Sequence, residues 1–265
     1  MILTNAILYL NKLHLKAIEW FLLIYLSIPN KVQCNICGWQ GRRFRSDAWH
    51  PYSMCPKCYS QVRHRLLIAA LADAASDLSF EKIVSNRKVL HFAPEPAVER
   101  RIRSHTDQYI SADLFQKGRD LKIDISCMLE ISSGAIDLLI ACDVLEHVPD
   151  DKLAMHEVYR VLSEGGWAIF TVPQPDNLEK TFEDKSLTNL ADRERLFGQS
   201  DHLRLYGDDF PELLERAGFR VVVVTEKNFS QDMARKIVLF PPRLSERHLA
   251  TNYRKIFFAQ KPARN

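Results

Sequence analysis

Four cysteines near the start of the chain have the spacing of a metal site. Cys34 and Cys37 form one C-x2-C pair, and seventeen residues separate it from the second pair, Cys55 and Cys58. Two intervening residues let one tight turn point both thiolates at a single ion, and two such pairs complete a tetrahedron. Gly38 supplies the left-handed conformation that such a turn often needs. The pattern predicts a closed structural zinc site; the alternatives are a rubredoxin-like iron site and a redox dithiol.

A second group of reactive side chains follows an apolar segment in the middle of the chain. The run IDLLIACDVLEHVPDD ends in Asp143, Glu146 and His147, and the later polar run FGQSDHLR contributes His202. Histidine and carboxylate side chains are the usual general acids and bases of enzymes, and loops on a rigid scaffold commonly carry substrate contacts. We favour His202 as a general base over His147, with Asp143 or Glu146 in support. The alternatives are structural histidines bonded to the backbone and a solvated loop.

Alternating apolar and helical segments supply the frame that must position these groups. From Lys88 onward, runs rich in Val, Ile and Phe alternate with helical stretches, which indicates a mostly parallel α/β sheet covered on both faces. An amphipathic helix is predicted from Arg63 to about Ala75, and a turn is predicted at Gly165–Gly166. The first strand–helix turn, KVLHFAPE, contains no glycine, and Pro94 and Pro96 would make it rigid. We divide the chain into an apolar helix (1–30), a four-cysteine region (31–62) and an α/β domain (63–265).

These motifs together resemble the class I S-adenosylmethionine-dependent methyltransferases. The likeness is to a type 11-like branch in which D-x-L-E-H precedes a helix, R-V-L-x-x-G-G and a strand; here the motifs read DVLEH at 143–147 and RVLSEGG at 160–166. The LHFAPE turn is similar to that of bacterial methyltransferase-like proteins that also carry four N-terminal cysteines. The resemblance covers about residues 88–260. It implies a Rossmann-like, mostly parallel, seven-stranded sheet with an antiparallel last strand, beside a small N-terminal zinc ribbon.

The resemblance also implies a site for S-adenosylmethionine at one edge of the sheet. Asp113 would hold the ribose, Asp124 with Ile125 would frame the adenine, and Asp143 would lie near the sulfonium. Glu95 would replace the acidic residue that the first motif lacks. The residues that we assign to the cofactor are His91, Phe92, Ala93, Glu95, Asp113, Leu114, Asp124, Ile125 and Asp143, and the catalytic candidates are His202, His147 and Asp143.

Three functions fit the sequence. The first is methyl transfer to a small-molecule or glycan-type acceptor, which suits the net charge of only +3. The second is an RNA methyltransferase that grips RNA through basic residues of the ribbon and its following helix: Arg42, Arg43, Arg45, Arg63 and Arg65. The third is a non-catalytic zinc-containing module on a methyltransferase scaffold. The aromatic residues between the cysteine pairs, Phe44, Trp49 and Tyr52, are interpreted as a miniature core in preference to an RNA-stacking surface.

The apolar N-terminal segment bears on localisation. Its longest apolar run, Trp20–Leu26, is too short to cross a bilayer, which needs about 20 residues. Residues 6–28 are interpreted as a helix docked on the protein, with peripheral membrane contact or a partner-binding helix as alternatives. Because no cleavable signal peptide is evident and the cysteine pairs favour metal binding over disulfides, we expect a cytoplasmic protein.

Overall fold

The computed structural model of the protein describes residues 31–47 and 49–263, together with Lys16 and Trp20. Those two residues are helical and exposed, and the rest of the predicted N-terminal helix lies outside the described residues. Within the described part of the chain, no helix is long and apolar enough to span a membrane.

The described residues form ten strands and seven α-helices. The strands are β1 (Val32–Gln33), β2 (Gln40–Gly41), β3 (Lys88–Phe92), β4 (Gln108–Ala112), β5 (Ile136–Cys142), β6 (Leu162–Thr171), β7 (Phe182–Glu183), β8 (Arg204–Leu205), β9 (Arg220–Val224) and β10 (Ile256–Gln260). The α-helices are α1 (Val62–Ala72), α2 (Phe80–Ile83), α3 (Pro96–Arg103), α4 (Asp151–Val161), α5 (Leu190–Phe197), α6 (Phe210–Arg216) and α7 (Gln231–Lys236). Two 3₁₀ turns, Leu145–His147 and Glu226–Asn228, complete the described elements.

The central sheet confirms the predicted fold class. Its strand order is β4-β3-β5-β6-β10-β9; the first four strands are parallel, and β10 runs antiparallel to both its neighbours. The predicted count of seven strands is wrong for the described residues, which give six. Beyond β4, only Ala112 and Leu121 form a parallel bridge. The Asp120 carboxylate accepts hydrogen bonds from the Ser111 backbone and hydroxyl groups and so occupies that edge before a strand can extend along it.

Alternation along the strands creates two core layers. Leu90, Leu139 and Phe170 pack on one face, against residues of α4 and α6. Leu138 and Ile140 pack on the other face, against α1 and α3. Successive strand side chains point to opposite faces, so a strand covered on both faces needs apolar residues at most positions, as β5 (IDLLIAC) has.

Two local predictions are corrected by the structure. Helix α1 is buried on nearly every side and is not amphipathic, because the cysteine region covers the surface that would otherwise face water. The predicted turn at Gly165–Gly166 is a bulge within β6, since the pairing with β5 skips from Leu162 to Trp167.

Candidate active site and metal centre

The four cysteines converge as the spacing predicts. Their sulfur atoms all lie within 4.8 Å of one another, with Cys34 Sγ 3.6 Å from Cys58 Sγ and Cys37 Sγ 3.7 Å from Cys55 Sγ. A disulfide requires about 2.05 Å, whereas sulfurs about 2.3 Å from a tetrahedral zinc ion are about 3.8 Å apart. The cluster therefore fits a four-coordinate metal ion such as zinc.

Each cysteine pair lies on the same kind of backbone turn. The Gly38 amide donates to the Cys34 carbonyl (2.9 Å), and the Tyr59 amide donates to the Cys55 carbonyl (3.0 Å). Both donors have left-handed backbone, with φ of 72° at Gly38 and 58° at Tyr59. Glycine adopts this conformation without strain. The glycine therefore makes the first turn predictable from the sequence, whereas the tyrosine at the same position of the second turn gives no such signal.

A buried arginine joins the metal centre to the α/β body. Arg65 on α1 is fully buried, and its guanidinium donates to the carbonyls of Ser53 and Ser60 on one side and of Ile237 and Val238 on the other. Burial lowers the pKa of Arg65 to about 10, so the side chain remains a cation at neutral pH. Its charge lies beside the cysteine cluster, where a zinc ion with four thiolates would carry a net charge of −2.

The aromatic residues between the cysteine pairs were predicted to form a small core. This prediction is confirmed for Phe44 and is wrong for Trp49. Phe44 is 1% exposed and packs with Trp39 and the cysteines. Trp49, in contrast, is exposed and faces the pocket described below. The arginines divide in the same way: Arg42 and Arg43 are exposed, whereas Arg65 cannot contact RNA because it is buried.

The carboxyl ends of β3 and β4 meet at the edge of the sheet where the resemblance places a cofactor. Ala93 follows β3 with left-handed backbone (φ 44°), and its amide donates to the Ala112 carbonyl (2.8 Å). Asp113 follows β4, and its Oδ1 accepts hydrogen bonds from the Phe115 and Gln116 amides. Its Oδ2 has no partner among the described residues and is free to accept another hydrogen bond.

A network of opposite charges lies between β3 and β5. Arg63 Nη2 is 2.5 Å from Glu95 Oε1, His64 Nε2 is 2.5 Å from Glu95 Oε2, and Arg63 Nε is 3.2 Å from Asp143 Oδ2. Arg254 Nη1 lies 3.4 Å from Asp143 Oδ1. Although burial opposes it, Arg63 and Arg254 hold the pKa of Asp143 well below its usual range. Arg63 and His64 likewise lower the pKa of Glu95 against the effect of burial.

Beside Asp143 lies a pocket of about 250 Å³ that gathers the predicted catalytic residues. Glu146 and His202 are 1% and 3% exposed, and the His147 and His202 rings meet edge to face with centroids 4.8 Å apart. Burial and the Asp143 carboxylate raise the pKa of Glu146 well above its ordinary value. Burial and His147 lower the pKa of His202. The pocket is lined by residues from six parts of the chain, among them Trp49, His50, Arg63, Asp143, Glu146, His147, Gln199, His202 and Arg254.

One buried arginine clamps the turn that carries Glu146 and His147. Arg204 is 1% exposed; its Nη1 donates to the carbonyls of Leu145 (2.8 Å) and Val148 (2.5 Å), and its Nη2 contacts Glu183 (2.7 Å). The Leu203 amide donates to the Glu146 carbonyl (2.9 Å), which ties the loop of His202 to the same turn. The DVLEH motif is thus held by Leu203 and Arg204, which follow α5 about sixty residues later in the chain.

A family model described as a methyltransferase domain matches residues 48–224, two thirds of the chain. The chain belongs to this methyltransferase family. It is an S-adenosylmethionine-dependent methyltransferase, as DVLEH and RVLSEGG implied, and membership favours the two catalytic interpretations over the non-catalytic module. A search of curated proteins found no match.

Solved structures of methyltransferases resemble the chain at low identity. A 1,6-didemethyltoxoflavin-N1-methyltransferase from Burkholderia thailandensis is 15% identical, with a TM-score of 0.47 over 75% of this chain and 78% of that one. The N-methyltransferase NodS from Bradyrhizobium japonicum is 14% identical, with a TM-score of 0.47 over 76% and 86%. An S-adenosylmethionine-dependent methyltransferase from Mesorhizobium loti is 15% identical, with a TM-score of 0.46 over 67% and 92%.

The residues that the resemblance assigned to the methyltransferase cofactor occupy different environments. His91 is buried, its Nδ1 lies 2.8 Å from the Tyr109 hydroxyl, and Phe92 is part of the core. Leu114 is partly exposed next to Asp113. The Asp124 Oδ1 accepts hydrogen bonds from Ser126, and the neighbouring Ile125 is buried.

Several residues of the candidate site were not predicted from the sequence. Arg254 and His50 gave no signal because they reach the pocket only through tertiary packing. Arg63 was considered only as an RNA contact, yet it lies between two acidic residues of the site. Arg204 stood in the polar loop already singled out, but a buried role could not be read from its surroundings.

Proposed function

We propose that the protein transfers a methyl group from S-adenosylmethionine to a small-molecule or glycan-type acceptor. The observation that supports this acceptor class is the pocket beside Asp143, whose volume of about 250 Å³ suits a single ring-sized group. Its lining combines an aromatic side chain, Trp49, with the polar side chains of Glu146, His147 and His202. Such a mixture binds a polar ring by stacking and hydrogen bonding.

Several side chains at the carboxyl ends of the strands suit the cofactor. S-adenosylmethionine, when bound, supplies an electrophilic methyl group on a sulfonium whose thioether is a good leaving group. Asp113 would accept a hydrogen bond from the ribose through its unpartnered Oδ2, while Asp124 and Ile125 would frame the adenine. The Glu95 carboxylate and the Arg63 guanidinium would face the ammonium and carboxylate of the methionine part. No phosphate has to be bound, so Ala93 can stand where a dinucleotide site needs glycine.

The pocket also contains groups that could take a proton from the methyl acceptor. A hydroxyl or ammonium group must lose its proton during methyl transfer. His202 Nδ1 lies 3.0 Å from the Phe197 carbonyl and therefore carries the N–H, which leaves the lone pair on Nε2. Within the described residues, His202 Nε2 and Glu146 Oε2 are buried without hydrogen-bond partners. The remaining acceleration of methyl transfer would come from alignment of the methyl donor with the methyl acceptor and from exclusion of water.

We assign the cysteine cluster to a structural zinc ion. Four thiolates complete the coordination shell and leave no position for a reactive water. The ion would fix the loop that brings Trp49 and His50 to the pocket, so its contribution to methyl transfer is to shape the acceptor site.

Calorimetric titration of the zinc-replete protein with S-adenosylmethionine and with S-adenosylhomocysteine tests the cofactor assignment. The expected result is binding of both ligands, weakened at least about tenfold, or about 1.4 kcal/mol, by Asp113→Asn. This variant keeps the oxygen that accepts from Phe115 and Gln116 and replaces the free acceptor with a donor. Asp107→Asn, at the opposite end of β4, is the matched control and should bind normally. Absence of binding by the wild-type protein would refute the proposal.

A specific observation keeps RNA as a second candidate acceptor. A groove of about 850 Å³ runs between the cysteine region and α7, and its exposed basic residues are Lys31, Arg42, Arg43, Arg235 and Lys236. Aromatic side chains, including Tyr52 beneath Arg43 (4.7 Å), lie among them. This combination suits single-stranded nucleic acid. RNA binding with a steep salt dependence that Arg42→Ala and Arg43→Ala together reduce would favour this acceptor.

We further propose a cytoplasmic location, with peripheral membrane contact through residues 6–28 as the alternative. Flotation of the full-length protein with liposomes, compared with a chain that starts at Pro29, distinguishes the two. Equal flotation of both chains would rule out membrane contact through this segment.

A further inference from the structure

A second cluster of metal-ligating side chains lies in the acceptor pocket, apart from the four cysteines. One ligand atom each of Glu146, His147 and His202 lies within 4.8 Å of the other two. Three ligand atoms about 2.1 Å from an ion and on one side of it are about 3.0–3.4 Å apart. A shift of about an ångström in each side chain would therefore bring the three atoms onto one ion.

His202 is already held in the manner of a metal ligand, and His147 lies close to a carboxylate that could hold it in the same way. His202 Nδ1 lies 3.0 Å from the Phe197 carbonyl, and His147 Nδ1 lies 3.3 Å from Asp201 Oδ2. Histidines that ligate a metal almost always donate their second ring N–H to a carbonyl or a carboxylate, which fixes the tautomer and the ring orientation. At His202 this hydrogen bond leaves Nε2 as the nitrogen that can bind an ion, and at His147 a hydrogen bond from Nδ1 to Asp201 would do the same.

Two of the three ligand groups are buried without a partner. Glu146 Oε2 and His202 Nε2 make no hydrogen bond to any residue that the structure describes, although their residues are 1% and 3% exposed. An unsatisfied buried polar group costs about 1–3 kcal/mol. Two such atoms in one pocket indicate that a ligand of the protein, and not the protein itself, completes their coordination.

We propose that Glu146, His147 and His202 bind a divalent first-row transition-metal cation such as Mn²⁺. Two imidazole nitrogens and one carboxylate oxygen on one side of an ion leave its remaining positions open. Imidazole ligands suit iron, nickel, copper or zinc better than magnesium and calcium, which prefer oxygen, and the carboxylate also suits manganese. The polar atoms of His202 and Glu146 would then act on the acceptor through the ion.

The cation defines the acceptor further, an extension that rests on the proposed function. Open positions beside Asp143 would take oxygen atoms, so the expected acceptor presents a hydroxyl group with a neighbouring oxygen, such as a vicinal diol. Coordination to a cation stabilises the deprotonated hydroxyl. The groove between the cysteine region and α7 has no part in this site.

Titration of Mn²⁺ into the full-length, zinc-replete protein, followed by the loss of the free Mn²⁺ electron paramagnetic resonance signal, tests the proposal. Mn²⁺ competes poorly for thiolates, so the cysteine cluster does not interfere. The expected result is one Mn²⁺ per chain, with the dissociation constant raised at least about tenfold by Glu146→Gln and by His202→Asn. The asparagine retains an N–H that can donate to the Phe197 carbonyl and removes only the ligating nitrogen.

Two further variants keep the result interpretable. His156→Asn replaces an exposed histidine on α4 and should bind Mn²⁺ as the wild type does. Asp201→Asn changes an exposed side chain that only orients His147, so it should fold normally and weaken binding by a smaller factor. Failure of the wild type to bind stoichiometric Mn²⁺, or equal binding by all variants, would overturn the proposal. The titration contains neither cofactor nor acceptor, so its outcome is independent of whether the methyl-transfer proposal survives.

Discussion

His91 should make the stability of the fold depend on pH. Its side chain is 1% exposed at the end of β3, with Nδ1 2.8 Å from the Tyr109 hydroxyl, and burial lowers its pKa to about 3. In the unfolded chain a histidine has a pKa of about 6.5. Between these values the unfolded state binds a proton that the folded state does not, so stability decreases as the pH falls below about 6.5.

The size of the effect follows from the two pKa values. One pH unit below its ordinary pKa, a histidine stabilises the unfolded chain by about 1.4 kcal/mol, and at about pH 7.5 the effect almost vanishes. Urea unfolding of the wild type and of His91→Asn at about pH 7.5 and about pH 5.5 measures the difference. The asparagine amide can pair with the Tyr109 hydroxyl in place of Nδ1, so the variant removes the titration and keeps a hydrogen bond.

Other histidines titrate as well, but they are common to both proteins and cancel in the comparison. The wild type should lose about 1.4 kcal/mol more than His91→Asn over this interval. His156→Asn, which changes an exposed histidine, should follow the wild type. If His91→Asn and the wild type lose stability in parallel, the burial argument for His91 is wrong.

Three further predictions concern the metal centre, the clamp and the glycine-free turn. Purified protein should contain one zinc ion per chain by elemental analysis, and Cys55→Ser should lose it; full zinc content in that variant would contradict the four-cysteine assignment. Arg204→Met should lower the free energy of unfolding by about 3–5 kcal/mol, because the buried carbonyls and Glu183 lose the guanidinium that donates hydrogen bonds to them. Arg216→Met, at a mostly exposed arginine, should change it by less than about 0.5 kcal/mol. Ala93→Gly should stabilise the protein by about 1 kcal/mol in urea unfolding, since it relieves left-handed backbone at φ 44°, whereas Ala93→Val should destabilise it.

Local patterns predicted much of the frame. The two C-x2-C pairs specify two turns that each need only a few consecutive residues, and the sulfur distances agree with the predicted metal site. The strand and helix alternation after Lys88 gave the fold class, because a strand buried on both faces must be apolar throughout. The DVLEH and RVLSEGG motifs led to the methyltransferase family that the family match establishes. The strand count failed because the Asp120 carboxylate accepts a hydrogen bond from the Ser111 amide, nine residues earlier, and this contact decides where that edge ends.

What the sequence by itself determined is therefore local: which segments are strands and helices, where the two turns that carry the cysteine pairs lie, and which polar residues end a strand. Tertiary structure alone decided which of these groups meet. It placed Arg63 between Glu95 and Asp143, brought His202 against His147 across more than fifty residues, and carried Trp49 from the cysteine region to the same pocket. Such contacts have no periodicity or spacing along the chain. They arise because packing two core layers on one sheet fixes where distant loops emerge, and the chemistry of the site depends on those loops.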